Sequence, residues 1–346
     1  MENAMKKIIL SLTAGLLALG AAWSYNPPVQ GENLFYLSHP ELLTGGNSTA
    51  GGGIESVIPA SGTLNPALVG LEERVSLDLG YTAMINGLDK SRGNKKYAQA
   101  FGTGILIPTD WATFGGEIQG IFSEFSNMPL GNSIHFKSFA AKQFMDKLYI
   151  GVGLGFGYET KFLKDWMLTA DVGAIYDFGD LGFLKNFRVA ATANNLGKTL
   201  GSDRNWQVYP SMFTFRGGAA AELIQAKNFV LGLSLDVTTP LFMNLIIDSG
   251  VQMRICDFVQ INSSWEWNAE EAWDGHNSWL PTIGVVFKFN IGMGNSNFVK
   301  KHDWTKSELC PSAAWKNVDM DINMIGVGAV LRLGQKDKSG PDIELE

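Results

Sequence analysis

Apolar residues recur at every second position in a series of segments, each about ten residues long, that begins after residue 72. In the stretch WMLTADVGAIYDF (166–178), one face is apolar from Trp166 onwards, whereas the other face carries Thr169, Asp171 and Asp177. Successive side chains of a β-strand point to opposite faces of its sheet, so this period predicts strands. Each strand is expected to have one apolar face and one mixed face.

Thirteen segments with this pattern can be delimited in the chain. They cover 74–84, 96–107, 111–123, 133–143, 148–159, 166–178, 186–196, 211–223, 228–237, 243–254, 257–267, 280–292 and 320–333. Bacterial single-chain barrels have an even number of strands, because both termini then lie on the same side of the membrane. A fourteenth strand is therefore expected, and segment 293–318, with Trp304 and Trp315, is where we place it.

Two features favour a membrane barrel over a soluble β-sandwich, which also shows alternation. The strands are near the 9 to 11 residues that cross a membrane when tilted, and longer than the usual 5 to 6 of globular sheets. Aromatic residues also gather at strand ends, as interfacial girdles do. They are Trp111, Tyr158, Trp166, Trp265, Trp267 and Trp279. The predicted fold class is all-β, a transmembrane antiparallel β-barrel of about 14 strands.

The charge of the chain and its first 24 residues indicate which partners it has and in which compartment it is found. Only 18% of the residues are charged and the net charge is −7, which argues against nucleic acid as a partner. Residues 1–24 combine Lys6-Lys7 with a short apolar run and small residues, which predicts a secretory signal peptide. The two cysteines, Cys256 and Cys310, are able to pair in an oxidising compartment but make no disulfide scaffold.

The rest of the chain divides around the strands. Segment 25–72 precedes them, 73–334 forms the barrel, and 335–346 is a polar C-terminal tail. About fourteen strands enclose a lumen too wide to be filled by their own side chains. Segment 25–72 includes ESVIPASGTLNPALVG (55–70), which is apolar in places but broken by proline and glycine. We expect it to be buried as a plug, or hatch, inside the lumen.

Short motifs resemble those of a known family. A Gly- and Ser-rich stretch after the signal peptide leads to Asn65-Pro66-Ala67 just before the first long strand, and Asn194-Asn195-Leu196-Gly197 ends a later one. This layout resembles the FadL/TodX (OmpP1) family of outer-membrane transporters for hydrophobic compounds, and within it an uncharacterised FadL-like branch. The chain departs from the family pattern by continuing past Leu333 instead of ending on an aromatic residue.

The resemblance implies a plugged barrel in the bacterial outer membrane that works by passive diffusion. Its ligand is a hydrophobic small molecule, such as a long-chain fatty acid, which is captured in a lumen pocket and released laterally among the outer-membrane lipids. The resemblance implies a monomer and no cofactor. It assigns hatch roles to Asn65, Pro66 and Ala67.

Further site residues are predicted for this uptake. Apolar side chains in front of a plugged lumen face either a ligand or the barrel wall, and the ligand-binding candidates are Phe35, Tyr36, Leu37, Val57 and Ile58. In the family, a kink in the third strand opens the lateral gate. The matching strand here contains Gly115, Gly116 and Gly120, which predict either such a kink or simple close packing.

Other chemistries find little support in the sequence. The glycines of GVGLGFGY (151–158) alternate strictly, which is typical of a crowded inner strand face and not of a nucleotide loop. The four histidines lack metal-ligand spacing, so neither a metal site nor an enzyme is predicted. Carboxylates and basic residues share the polar faces of the strands. We expect them to form either ion pairs across a water-filled lumen or a selectivity filter. The alternative function is that of a PorV-like FadL relative that serves protein secretion or surface attachment.

Overall fold

A computed structural model describes most of the chain. The described residues are 33–44, 48–86, 97–124, 132–161, 164–201, 213–274, 280–294, 296–302, 304–318 and 322–334. The predicted signal peptide (1–24) and the polar tail (335–346) lie outside them. Among the residues that the structure describes, no helix has the length and apolar character needed to cross a membrane.

Fifteen strands account for most of the described residues. They are β1 (Ser76–Asn86), β2 (Tyr97–Pro108), β3 (Thr113–Ser123), β4 (Ser133–Phe144), β5 (Leu148–Glu159), β6 (Trp166–Leu181), β7 (Leu184–Lys198), β8 (Thr214–Ala226), β9 (Phe229–Pro240), β10 (Ile246–Ile255), β11 (Val259–Asn268), β12 (Thr282–Phe287), β13 (Phe289–Gly292), β14 (Lys306–Val318) and β15 (Ile322–Arg332). Three short α-helices are α1 (Pro40–Leu43), α2 (Ala269–Asp274) and α3 (Asn297–Lys301). Three 3-10 turns are η1 (Leu34–Tyr36), η2 (Pro59–Thr63) and η3 (Pro66–Leu71).

The strands close into one antiparallel barrel. Each strand from β1 to β11 pairs with the next along the chain, and β1 also pairs with β15. β14 pairs with β15 on one side and with both β12 and β13 on the other. β12 and β13 therefore form one interrupted wall position, and the barrel has fourteen wall positions. The predicted fold class is confirmed.

The two faces of the wall differ as the sequence period predicts. Along β2 the burial alternates strictly between buried and exposed positions. Outward side chains are apolar and exposed, for example Leu79 and Leu154, both 63% exposed, whereas the inward Asp78 and Asp171 are buried. This outer band is suited to lipid because it presents no row of charges to the hydrocarbon. The predicted girdle residues that are described lie exposed near the strand ends; Trp279 lies outside the described residues.

Short turns mark one end of the barrel. They lie at 109–112, 145–147, 182–183, 227–228 and 256–258, and we call this the turn end. The opposite, loop end carries most of the longer connections, many of whose residues lie outside the described part of the chain. In outer-membrane barrels the short turns are periplasmic and the longer loops extracellular.

Every predicted strand corresponds to an observed one, and β14 is the fourteenth, within 293–318 as predicted. Two details differ. The predicted strand 280–292 is interrupted at Lys288. β6 and β7 reach further towards their hairpin turn than predicted, because register shifts near Gly179 disturb the alternation before the strands end. Cys256 lies exposed in the β10–β11 turn and Cys310 is buried in β14; both are free, so the pairing considered for them is not formed.

Candidate functional site

Residues 33–44 and 48–72, which we call the N-terminal segment, lie inside the ring of strands. Its residues bond to side chains from opposite sides of the wall. The donors and acceptors lie on β1, β3, β7, β9, β10 and β15: Asp78, Gln119, Arg188, Asn194, Asp236, Gln252 and Arg332. The segment forms short turns because prolines begin α1, η2 and η3 and no apolar period is long enough for a longer element.

The predicted hatch motif is fully buried at the start of η3. The Asn65 side chain caps the turn by accepting from the Ala67 backbone N–H at 3.0 Å, and its Nδ2 donates to the Thr49 carbonyl oxygen at 3.0 Å. Gly151 on β5 and Gly173 on β6 are directly opposite each other, and a Cβ on either would overlap this motif. Because the two glycines have no side chains, they leave the space on the inner wall that the Asn65-Pro66-Ala67 motif occupies. The hatch role of Asn65, Pro66 and Ala67 stays a prediction.

The second motif, Asn194-Asn195-Leu196-Gly197, forms a bulge near the end of β7. The β6–β7 register shifts between Ala170 and Val172, and Asn195 adopts a positive φ of 58°. Asp171 Oδ1 accepts from the Asn195 backbone N–H at 2.6 Å. The bulge directs Asn194 Nδ2 to the carbonyl oxygens of Thr63 and Leu64, at 3.1 and 2.8 Å. This motif therefore attaches the wall to η2.

His39, before α1, is bound between carboxylates of the wall. Its Nε2 lies 3.3 Å from Asp78 Oδ1 and its Nδ1 lies 3.6 Å from Glu117 Oε1. Burial opposes the charged form, but the carboxylates of Asp78 and Glu117, with Glu41, raise the pKa of His39 to about 9. Ser38 Oγ lies 2.8 Å from His39 Nδ1, which gives the residue types of a nucleophilic triad. The serine, the histidine and the three carboxylates are all at most 4% exposed, so a substrate could not reach them. Their contacts instead anchor the N-terminal segment to the wall.

Two arginines of the wall hold the backbone of the N-terminal segment. Arg188 Nη2 donates to the Gly52 carbonyl oxygen at 2.7 Å, and Arg332 Nη2 donates to the Val57 carbonyl oxygen at 2.8 Å. Arg332 also pairs with Glu72 at 3.2 Å; despite its burial, contacts with Arg74 and Arg332 lower the pKa of Glu72.

Charges elsewhere on the inner wall pair with one another. Contacts of 2.6 to 2.9 Å join Lys137 to Asp171, Arg216 to Asp236, and Lys316 to Glu266. The sequence left open ion pairs across the lumen or a selectivity filter, but these paired residues lie on neighbouring or next-but-one strands, so the pairs run along the inner wall and do not cross the lumen.

An apolar cluster occupies the loop end of the interior. The wall contributes inward residues near the loop ends of its strands: Met84, Ala98, Ala100, Ile121, Met167, Ala314, Val318, Ile322 and Met324. Leu34, Phe35 and Leu37 pack against them from η1 and its flank, and Tyr36 is partly buried beside them. We call this set the loop-end cluster. The cluster interrupts a mostly polar inner wall, and His135 and Lys137 of β4 contact its Phe35 ring. Its three flexible methionines let it adapt to different shapes.

A cavity of about 1230 Å³ lies at the turn end. Val57 and Ile58 line it together with ion-paired side chains such as Arg332, Glu72, Lys288 and Glu308. The five predicted ligand residues therefore fall into two groups. Phe35, Tyr36 and Leu37 belong to the loop-end cluster, and Val57 and Ile58 face the turn-end cavity. Sequence reasoning missed the methionines of the wall, although the inward positions of Met84, Met167 and Met324 follow from the strand period.

The three glycines predicted for a lateral gate lie in a regular part of the wall. β3 pairs with β2 from Ala98 to Pro108 and with β4 from Ser133 to Ala141 without a register shift. A Cβ on Gly115 would meet Leu106, and one on Gly120 would overlap the Phe101 ring, which agrees with close packing. The gate role of Gly115, Gly116 and Gly120 stays a prediction.

Comparison with solved structures shows similar barrels. The toluene transporter TbuX of Ralstonia pickettii has a TM-score of 0.52 and 11% identity over 88% of this chain and 98% of that chain. The toluene transporter TodX of Pseudomonas putida has a TM-score of 0.50 and 10% identity over 89% and 99%. The monoaromatic hydrocarbon channel CymD has a TM-score of 0.50 and 12% identity over 89% and 100%. No protein-family model and no curated protein sequence matches the chain.

The closed ring of strands, the apolar outer band and the polar inner wall define a transmembrane β-barrel of the kind that spans bacterial outer membranes. More particularly, its fold is that of the FadL-type hydrocarbon channels to which it is compared. At 10 to 12% identity this likeness is one of fold.

Proposed function

We propose that this chain is a FadL-family channel for passive uptake of hydrophobic small molecules across the outer membrane. The ligand class includes monoaromatic hydrocarbons and long-chain fatty acids. The ligand enters the loop-end cluster from outside, passes the N-terminal segment, and leaves sideways into the membrane. The protein works as a monomer without a cofactor, with the N-terminal segment as its plug and Asn65, Pro66 and Ala67 as the hatch motif. The fold likeness to toluene transporters supports this proposal.

The loop-end cluster is the observation that carries the proposal. A barrel that admits water-soluble molecules has a polar inner wall throughout, whereas this wall carries a group of buried apolar side chains at the loop end, beside polar ones such as Ser133 and His135. An apolar molecule gains about 2.5 kcal/mol for each 100 Å² of surface that it removes from water. Phe35 and Leu37 of the N-terminal segment and Met84, Met167 and Met324 of the wall supply that surface.

Passage beyond the cluster requires the N-terminal segment to move. Leu64 and Leu68 are 1% and 0% exposed, so the interior between the cluster and the turn-end cavity is filled. The segment is held by separate hydrogen bonds and ion pairs instead of a long helix or strand, so it can yield locally while the barrel stays closed. Val57 and Ile58 then meet the ligand in the cavity.

Uptake by cells tests the proposal. Cells that lack other hydrophobic-uptake channels would be given radiolabelled toluene or oleate, with and without this protein. Met324→Gln places an amide in the loop-end cluster, where an uncompensated polar group costs about 1–2 kcal/mol, so uptake should fall roughly fivefold or more. Met145→Gln is the matched control, because Met145 is 88% exposed in the β4–β5 turn. Equal uptake by cells with and without the protein would refute the proposal.

A further inference from the structure

A small pocket lies at the loop end, between the N-terminal segment and the inner wall. Its volume is about 60 Å³, which is enough for a few water molecules or for one small polar group. Its charged lining side chains come from strands β8, β9, β10, β11 and β14, in that order: Arg216, Asp236, Asp248, Glu266 and Lys316. We call this cavity the loop-end pocket.

The three carboxylates of the pocket form one row across neighbouring strands. Asp248 is directly opposite Asp236 on one side and directly opposite Glu266 on the other. Like charges that face each other across a strand pair destabilise a sheet. Arg216 bonds to one end of the row and Lys316 to the other. Among the described residues that line the pocket, two cations therefore face three carboxylates, and one negative charge is left over.

Asp248, in the middle of the row, is the least compensated of the three carboxylates. Arg216 Nη2 lies 2.7 Å from Asp236 Oδ2 but 3.4 Å from Asp248 Oδ2. Lys316 Nζ lies 2.9 Å from Glu266 Oε2. Each outer carboxylate thus has a close cation, whereas Asp248 shares the cation of its neighbour at a longer distance.

A buried hydroxyl group lies beside this row. Thr238 occupies the next inward position of β9 after Asp236, so it is a diagonal neighbour of Asp248. It is 8% exposed and lines the pocket, and its Oγ1 has no hydrogen-bond partner among the described residues. A buried hydroxyl without a partner destabilises the fold. A group that donates hydrogen bonds to both Thr238 and Asp248 would remove this cost.

The row of carboxylates can be reached from the loop end. The side chains of Asp248 and Glu266 are 23% and 24% exposed, whereas that of Asp236 is 1% exposed. The carboxylates around His39, by contrast, are all at most 4% exposed. The middle of the row is therefore open to a ligand, although its inner end is not.

The loop-end pocket adjoins the loop-end cluster. Tyr36 and Leu43 line the pocket, and both also pack against the apolar residues of the cluster. A molecule whose apolar part lies in the cluster can therefore place a polar group at one of its ends in the pocket.

We infer that the loop-end pocket binds a primary ammonium group, and that the channel prefers hydrophobic amines to acids with the same apolar part. This inference rests on the proposed function and specifies its ligand class. An ammonium group has three N–H donors and one positive charge. The carboxylates of Asp248 and Glu266 and the hydroxyl of Thr238 accept from it, and its charge offsets the excess negative charge of the row. A fatty acid binds through its apolar chain, with its carboxylate outside the pocket.

Binding of four related compounds to the detergent-solubilised protein tests the inference. Phenylbutylamine, phenylbutanol, phenylbutyrate and butylbenzene share one apolar part and differ in the head group. At about pH 8 the amine carries its positive charge and the acid its negative charge. Dissociation constants are measured by equilibrium dialysis with the same detergent on both sides, for the unmodified protein, Asp248→Asn and Asp146→Asn. Asp146→Asn is the matched control, because Asp146 is exposed in the β4–β5 turn and asparagine tolerates its positive φ of 58°.

The unmodified protein and Asp146→Asn should bind the amine at least about tenfold more tightly than the acid, with butylbenzene between the two. Asp248→Asn should lower the affinity for the amine at least about tenfold. Its affinity for butylbenzene should change less than about twofold, which also shows that the variant is folded. An unchanged affinity of Asp248→Asn for the amine would overturn the inference.

Thr238→Val provides a second test, because it removes the unpartnered hydroxyl and keeps nearly the same shape. Binding of the amine should weaken about threefold or more, and binding of butylbenzene should stay unchanged. An amine affinity equal to that of the unmodified protein would contradict the assigned contact. Butylbenzene binding without a preference for the amine would overturn this inference and leave the proposed function standing, whereas binding of none of the four compounds would contradict both.

Discussion

Asn65→Ala should loosen η3 from the barrel by an amount that follows from its contacts. The Asn65 side chain is 0% exposed, caps η3 through the Ala67 N–H, and donates to the Thr49 carbonyl oxygen. Loss of the cap costs about 1 kcal/mol. A buried carbonyl left without its donor adds about 1–3 kcal/mol. The local opening of residues 66–71 should therefore become easier by about 2–4 kcal/mol, which is roughly a 30-fold to 700-fold faster amide exchange.

Hydrogen exchange with mass spectrometry of peptides that cover 66–71 measures this effect directly in the detergent-solubilised protein. Asn33→Ala is the matched control. Asn33 also caps a 3-10 turn, by accepting from the Phe35 N–H at 3.0 Å. Loss of this cap should lower the free energy of local opening by about 1 kcal/mol at residues 34–36 and leave it unchanged at residues 66–71. Exchange of 66–71 in Asn65→Ala within twofold of the unmodified protein would show that Asn65 does not hold η3.

Two further predictions concern charge. The pKa of His39 is raised to about 9 from its ordinary 6.5, so the stabilisation that His39 gives the N-terminal segment is complete below pH 6.5 and is lost as pH rises through about 9. Protease cleavage of the segment should accelerate between pH 7 and 10, and His39→Gln should abolish that dependence; an unchanged profile would contradict it. Leu154→Arg on the outer face should lower barrel stability by about 2–4 kcal/mol in vesicle unfolding experiments, whereas Met145→Arg in a turn should leave it unchanged.

The sequence was sufficient to predict the strands of the wall because the two faces of each strand meet different surroundings, the lipid outside and the lumen inside. Lipid selects an apolar residue at every outward position, and the interior selects polar or small ones. The position of β14 within 293–318 followed from the even-number rule, because the alternation of its own residues was too weak to place it. The break at Lys288 was not predicted, because the alternation of the sequence continues through it.

The interior was predicted less completely, since its contacts join residues far apart in the chain. His39 was judged by spacing along the sequence, and only the fold brings it between Asp78 and Glu117. The alternating glycines of β5 were correctly expected on the inner face, but their partner there, the Asn65-Pro66-Ala67 backbone, could not be read from the strand itself. The strand period shows which face of the sheet a residue occupies, but it does not show which residue contacts it from across the barrel.

The measurement that tests hydrophobic uptake most directly is the identification of molecules that co-purify with the protein. The protein would be extracted in a detergent that does not mimic a fatty acid, and bound compounds would be released and identified by mass spectrometry, beside Met324→Gln and Met145→Gln. We expect a hydrophobic compound on the unmodified protein and on Met145→Gln, and clearly less of it on Met324→Gln. An unmodified protein that carries no hydrophobic compound, and binds none of the added oleate or toluene, would contradict the proposed function.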